Sequence, residues 1–166
     1  MVKVYVGLGA NLGNPAQTLS AVLNDLRQAD FVDDLVSSSL YASKPMGPQD
    51  QPDYVNAVAR FNTDLPPIAL LDALQGLEQD YGRVRGQRWG ARTLDIDILL
   101  YGDQRLSLPR LTVPHSGLEL REFVVVPLAE IAPDLDLPSG NSVKSLAQSI
   151  SQNGLQRIAP PPAEHP

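Results

Sequence analysis

The segment Leu94-Asp95-Ile96-Asp97-Ile98-Leu99-Leu100 constrains the fold of this chain more than any other stretch of it. Side chains alternate between the two faces of a strand. The spacing therefore predicts Leu94, Ile96, Ile98 and Leu100 on one face, buried in a core, with Asp95 and Asp97 side by side on the other. Two neighbouring carboxylates repel one another and resist burial unless a cation or an arginine compensates them. Hard oxygen donors with no histidine or cysteine nearby favour magnesium or manganese over zinc. Two such ions roughly 3.5–4 Å apart, bridged by phosphates, suit the pair. Two solvated aspartates on a surface strand are the alternative that this segment alone leaves open.

The rest of the chain supplies elements to build a sheet around that strand. Val2, Val4, Val6 and Leu8 alternate as a first strand, and Gly7 to Gly13 reads as a tight turn after it. Asn14-Pro15 then offers a cap and a first-turn proline to a helix carrying Leu19, Val22, Leu23 and Leu26. Leu35 to Tyr41 and Tyr54 to Phe61 read as the second and third strands, with Val55, Ala57 and Ala59 on one face of the third. The prolines and glycine of residues 44–53 make that stretch a loop. Pro66-Pro67 introduces a second helix bearing Leu70, Leu71, Leu74, Leu77 and Tyr81, closing near Gly82. Leu94 to Tyr101 is the fourth strand, and Gly102-Asp103 predicts a hairpin to a return strand at Leu106 to Leu108.

Arg110 to Leu118 reads as a polar loop. Glu122 to Leu128 is compatible with a strand or with a short helix cut by Pro127, and Asn141-Ser142 caps a last helix containing Val143, Leu146, Ala147 and Ile150. The order strand, helix, strand, strand, helix, strand predicts a split βαβ arrangement, an antiparallel or mixed sheet with two helices on one side. The proline-rich tail, residues 159–166, has almost nothing to bury and is expected to be disordered.

Composition narrows the function. At 166 residues, one domain is the default, spanning residues 1–158. No cysteine is present, which removes disulfides, thiol nucleophiles and thiolate metal sites. No run reaches the roughly 18 apolar residues of a membrane span, and a formal charge of -6 argues against a surface that tracks nucleic acid. Arg83, Arg85, Arg88 and Arg92 nevertheless fall within one short stretch, followed by Arg105, Arg110 and Arg121. Guanidinium forks at such a density hold phosphate oxygens and neutralise charge developed in transfer. A solvated basic loop is the plainer reading of the same cluster.

Trp89, set among these arginines, can cover a flat heterocycle, with Phe123 as a second wall or simply as core. Tyr54 and Asn56 share a face, and the Asn56 amide can read a donor–acceptor edge or cap a turn. His115, beside Arg110 and Thr112, can donate to a phosphate or serve as an ordinary loop histidine. The glycines of residues 7–13 lack the lysine and hydroxyl of a P-loop and read as a tight loop that can help place substrate, and no GxSxG or HExxH pattern occurs.

With these blocks in order, the sequence resembles the 6-hydroxymethyl-7,8-dihydropterin pyrophosphokinase family over residues 2–157. The match is carried by Gly9-Ala10-Asn11-Leu12-Gly13, Gly47 to Asn56, Gly82 to Arg85, Arg88 to Ile98, and Leu111 to His115. The resemblance implies a single ferredoxin-like α+β domain with a largely antiparallel sheet and packed helices. It implies ATP as donor, two magnesium ions, and transfer of the β,γ-pyrophosphoryl unit to the pterin hydroxymethyl oxygen in folate synthesis, with release of AMP.

Carried onto this chain, Asp95 and Asp97 hold the ions. Ser43, Lys44, Pro45, Met46, Tyr54, Asn56, Trp89, Asp95 and Phe123 border the pterin. Gln75, Glu78, Arg85, Arg88, Arg92, Ile98, Arg110, Thr112, His115 and Arg121 surround ATP, and Arg83 and Arg92 assist transfer most directly. Lys44, Ala91 and Ser116 depart from residues common in the family, which bears on loop order and packing rather than on reaction class. A cytoplasmic monomer with no nucleic-acid or membrane partner is the corresponding expectation.

Overall fold

β1 (Val2–Ala10) is the spine of the sheet: it pairs antiparallel along its whole length with β4 (Tyr54–Thr63) and on its other side with β5 (Asp95–Tyr101). In this computed structural model, residues 1–44, 53–82 and 94–162 are described. The remaining elements are α1 (Pro15–Gln28), β2 (Asp33–Ser37), β3 (Leu40–Ser43), α2 (Pro67–Asp80), β6 (Leu106–Ser107) and β7 (Thr112–Val113), then α3 (Glu122–Ile131), α4 (Val143–Ser149) and β8 (Gln156–Ala159). The large sheet runs β5-β1-β4-β3-β8, with β2 also on β4, and every pairing in it is antiparallel. This is the ferredoxin-like α+β arrangement expected from the element order.

The first two helices begin where the sequence places them. Asn14 accepts a hydrogen bond from the Gln17 amide at 3.3 Å, and Pro15 occupies the first turn, where its missing N–H leaves nothing unsatisfied. Pro67 likewise takes the first turn of α2, whose N-cap position, Pro66, makes no side-chain hydrogen bond. Leu19, Val22, Leu23 and Leu26 of α1 and Leu70, Leu71 and Leu74 of α2 bury one face of the sheet, against Val4, Val6, Leu8, Ala57, Ala59, Phe61, Ile96 and Ile98. At about 1.5–3 kcal/mol per fully buried large side chain, this face is the main stabilising layer.

The structure corrects several expectations. Helices cover both faces, not one: α3 and α4 pack on the opposite side, over Tyr5, Val58, Leu99 and Leu100. Leu100 therefore faces away from Ile96 and Ile98. The register of β5 against β1 skips Leu99, since Tyr5 pairs with Leu100 and Val6 with Ile98, and this bulge reverses the alternation beyond it. The single strand expected at 35–41 is two strands, because Ser38 and Ser39 divert the ladder. The Ser38 hydroxyl accepts the Val58 N–H at 2.9 Å, and the Ser39 N–H and hydroxyl both go to the Glu130 carboxylate at the far end of α3.

The expected hairpin at Gly102 is not made. The Gly102 N–H bonds Lys3, and Leu106–Ser107 pairs instead with Thr112–Val113, so the stretch read as a polar loop contains a strand and the buried residues Leu111, Val113 and Leu118. The Phe123 to Val126 stretch is helical despite Pro127, which lies inside α3. β8, which the sequence reading lacked, pairs with β3 and runs to Ala159. Among the described residues, no helix is long and apolar enough to cross a membrane.

Candidate active site

Across the middle of the sheet, on the α3 side, pairing places Asp95 of β5 opposite Gly9 of β1, and Gly9 opposite Asn56 of β4. One row further along, Asp97 stands opposite Gly7. The two glycines lie within β1, not in a turn after it, and their missing side chains leave a trough between the carboxylates and Asn56. Ser43, at the end of β3, closes the far side: its hydroxyl donates to Asn56 Oδ1 at 2.5 Å. That bond makes the amide nitrogen the remaining donor of a buried Asn56 side chain.

Two clefts meet over this row. The first, of about 180 Å³, is lined by Gly9, Ser43, Lys44, Tyr54, Asn56, Arg121 and Phe123 among others. The second, of about 340 Å³, is lined by Gln75, Glu78, Ile98, Arg110, Thr112 and Ser116 among others. Asp95, Asp97 and His115 belong to both. The structure thus brings together every described residue of the pterin group in one cleft, and all the described residues of the ATP group except Arg121 in the other. Arg121 lines the first cleft, its guanidinium 5.8 Å above the Phe123 ring. Pro45, Met46, Arg83, Arg85, Arg88, Trp89 and Arg92 lie outside the described residues.

His115 owes its place to the β5 bulge. Its main-chain N–H donates to the Leu99 carbonyl at 2.9 Å, tying the turn after β7 to the irregular point of the strand. Its Nδ1 accepts the Gly117 N–H at 3.0 Å, so in the neutral ring the proton sits on Nε2, 3.8 Å from Asp97 Oδ2. Burial and the nearby Arg121 charge hold the imidazole below its ordinary range, and Asp95 opposes them only in part. The result at neutral pH is an uncharged ring whose one N–H points where both clefts join.

The outer wall of the larger cleft is made by Arg110, paired with Asp72 at 2.6 Å and with Gln75 at 3.1 Å on an exposed surface. Exposed pairs of this kind contribute little to stability, so Arg110 can exchange these partners for a ligand anion at small cost. Glu78 is buried, and one carboxylate oxygen accepts the Ile96 N–H at 2.8 Å, which anchors the start of β5 between the two aspartates. The Ile98 side chain is core, leaving its backbone to the cleft.

Asp95 and Asp97 are both partly exposed, and no group of three or more metal-ligating side chains occurs among the described residues. Two carboxylates on one strand suit a hard cation that draws its other ligands from water and phosphate oxygens. The sequence reading left Gly117 out of the site and took Gly7 and Gly9 only as part of a tight loop that helps place substrate. The signal for their place inside a strand was there, as glycines two apart in a period-two pattern.

Fold and site together define a class: a ferredoxin-like α+β domain in which a carboxylate pair joins two clefts of different chemistry. Residues 5–133 match the profile of the 7,8-dihydro-6-hydroxymethylpterin-pyrophosphokinase (HPPK) family, and the chain belongs to that family. It is 48% identical to the 2-amino-4-hydroxy-6-hydroxymethyldihydropteridine pyrophosphokinase of Haemophilus influenzae, over 96% of this chain and 100% of that one. It is also 48% identical to the protein of the same name from Pseudomonas aeruginosa, over 94% of this chain and 96% of that one. Among solved structures, the Plasmodium falciparum HPPK-DHPS chain superposes with a TM-score of 0.73 at 14% identity, covering 95% of this chain. The present chain spans 44% of that longer one, and the likeness there is one of fold.

Proposed function

We propose that this chain carries out its family's reaction, transfer of the β,γ-pyrophosphoryl unit of ATP to the hydroxyl of 6-hydroxymethyl-7,8-dihydropterin, as a step of folate biosynthesis. The observation that carries the reading is the meeting of the two clefts at Asp95, Asp97 and His115. A flat heterocycle fits the smaller cleft, between Tyr54 and Phe123, with its polar edge against the Asn56 amide held by Ser43. A nucleotide triphosphate fits the larger one, with Gln75, Arg110 and Thr112 along its length.

Bound so, the hydroxymethyl oxygen faces the β-phosphorus. The new bond forms between them as the bond from that phosphorus to the α,β-bridging oxygen breaks, AMP departs with the bridging oxygen, and the hydroxyl proton passes to phosphate or water. Holding the two reactants in line supplies much of the acceleration. Magnesium, held by Asp95 and Asp97, supplies charge neutralisation at the phosphate oxygens when bound. His115 donates from Nε2 to a phosphate oxygen and, being neutral, has no proton-accepting lone pair on that side. In the same reading Arg83 and Arg92 stabilise the transferring unit, Arg85 and Arg88 hold the triphosphate, and Trp89 covers the pterin.

Phosphorus NMR of the protein with ATP, magnesium and 6-hydroxymethyl-7,8-dihydropterin tests the proposal. The expected result is AMP and a pterin diphosphate in equal amounts, dependent on both substrates. ADP with inorganic phosphate, or ATP that persists unchanged, would overturn it.

A further inference from the structure

Gly117 lies in the turn between β7 and α3, and its backbone does not explain why it is glycine. Gly13, Gly82, Gly102, Gly140 and Gly154 all have positive φ, whereas Gly117 is outside that left-handed region and an L-residue fits its backbone. What a side chain would meet here is the end of Arg121. A Cβ at this position would stand 2.5 Å from Arg121 Nε and 2.8 Å from Arg121 Cζ. The guanidinium therefore occupies the volume that any other residue would fill, and from there it reaches over the Phe123 ring into the smaller cleft. The same glycine donates its N–H to His115 Nδ1.

We propose that Gly117 is a positioning residue for the transferred group: its missing side chain seats the Arg121 guanidinium and its N–H turns His115 Nε2 toward the junction of the clefts, so that one residue aims two anion donors at the same place. The inference rests on the reading of the site given above only for what those donors meet, a pyrophosphoryl unit in passage from one cleft to the other. Arg121 lines the smaller cleft and His115 lines both.

The test is Gly117→Ala in the full chain. The added methyl meets the end of a flexible side chain rather than backbone, so the fold accommodates it by moving Arg121, and the N–H to His115 is kept. In the ligand-free protein the Arg121 Nε–Hε resonance, assigned by its loss in R121A, should shift while the His115 ring nitrogens keep their pattern. In steady-state kinetics G117A should lower kcat about tenfold with the KM for ATP little changed, because Arg121 does not line the larger cleft.

In an R121A background, adding G117A should cost at most about twofold, since its target is gone. An Arg121 resonance that does not move, or an equal kinetic loss in both backgrounds, would refute the role. The resonance measurement needs no substrate, so it still decides the question if the parent protein forms no pterin diphosphate, an outcome that would count against the proposed reaction instead.

Discussion

Toward α1 and α2, the strands β1, β4 and β5 present Val4, Val6, Leu8, Ala57, Ala59, Phe61, Ile96 and Ile98, all buried, while the opposite face of the same strands presents Tyr5, Gly7, Gly9, Asn56, Val58, Asp95, Asp97 and Leu99. The first set is apolar without exception and closes against two helices. The second is apolar only where α3 and α4 cover it, at Tyr5, Val58 and Leu99, and elsewhere it carries two carboxylates, an amide and two glycines over an open trough. A period of two lets one strand hold the domain together on one side and face ligands on the other. Stability and activity should therefore respond to different residues of the same three strands.

The most severe test of that division is D95A or D97A. Either should lower pyrophosphoryl transfer by about a thousandfold, since under the proposed function each removes half of the anionic anchor for the phosphate-bound cations. The midpoint of urea denaturation should change little by comparison, because both side chains are partly exposed and contribute nothing to the apolar core. Transfer within tenfold of the parent, or a collapse of the denaturation midpoint, would break the comparison at its strongest point.

F61A makes the opposite change from the other face of β4. Phe61 is fully buried and pairs across to Val4, far along the strand from Asn56. Its truncation should cost about 3–5 kcal/mol, a large share of a typical domain's total, and lower the melting temperature by roughly 10 °C. Calorimetry reads the loss, and kcat/KM measured well below the transition should stay within about twofold of the parent.

The sequence made this division partly readable. The alternation of β1 and β5 placed the aspartates and the core leucines and isoleucines correctly as far as Ile98, because period-two patterning is local. It failed at Leu100, where the reversal comes from a bulge whose exposed carbonyl is taken by His115, and at Ser38 and Ser39, whose ladder is broken by Glu130. Those partners are distant in the chain, and nothing in the neighbouring residues announces them. Tyr54 with Asn56 was legible as a same-face pair, and the Ser43 hydroxyl that orients the amide was not, because register between β3 and β4 decides it. Gly117 was hidden for a different reason: its importance lies in a volume filled by a side chain four residues on, which no turn propensity encodes.

G9A gives the smallest effect and the finest discrimination, because it adds one methyl to the floor of the trough. A Cβ on Gly9 would lie 3.1 Å from Asn56 Nδ2 and 3.8 Å from the Tyr54 ring, close enough to push the amide aside by a few tenths of an ångström and not close enough to disrupt the sheet. Gly9 has no positive φ, so its backbone accepts alanine, and the substitution should stabilise the domain by about 0.4–1 kcal/mol through the unfolded chain. Calorimetric titration with 6-hydroxymethylpterin should meanwhile show affinity lowered about three- to tenfold, the loss expected for disturbing one well-placed polar contact. Stability and affinity then move in opposite directions from a single methyl. If both fall together, Gly9 serves the packing of the sheet rather than the cleft, and the separation of the two faces does not extend to the residue between Asp95 and Asn56.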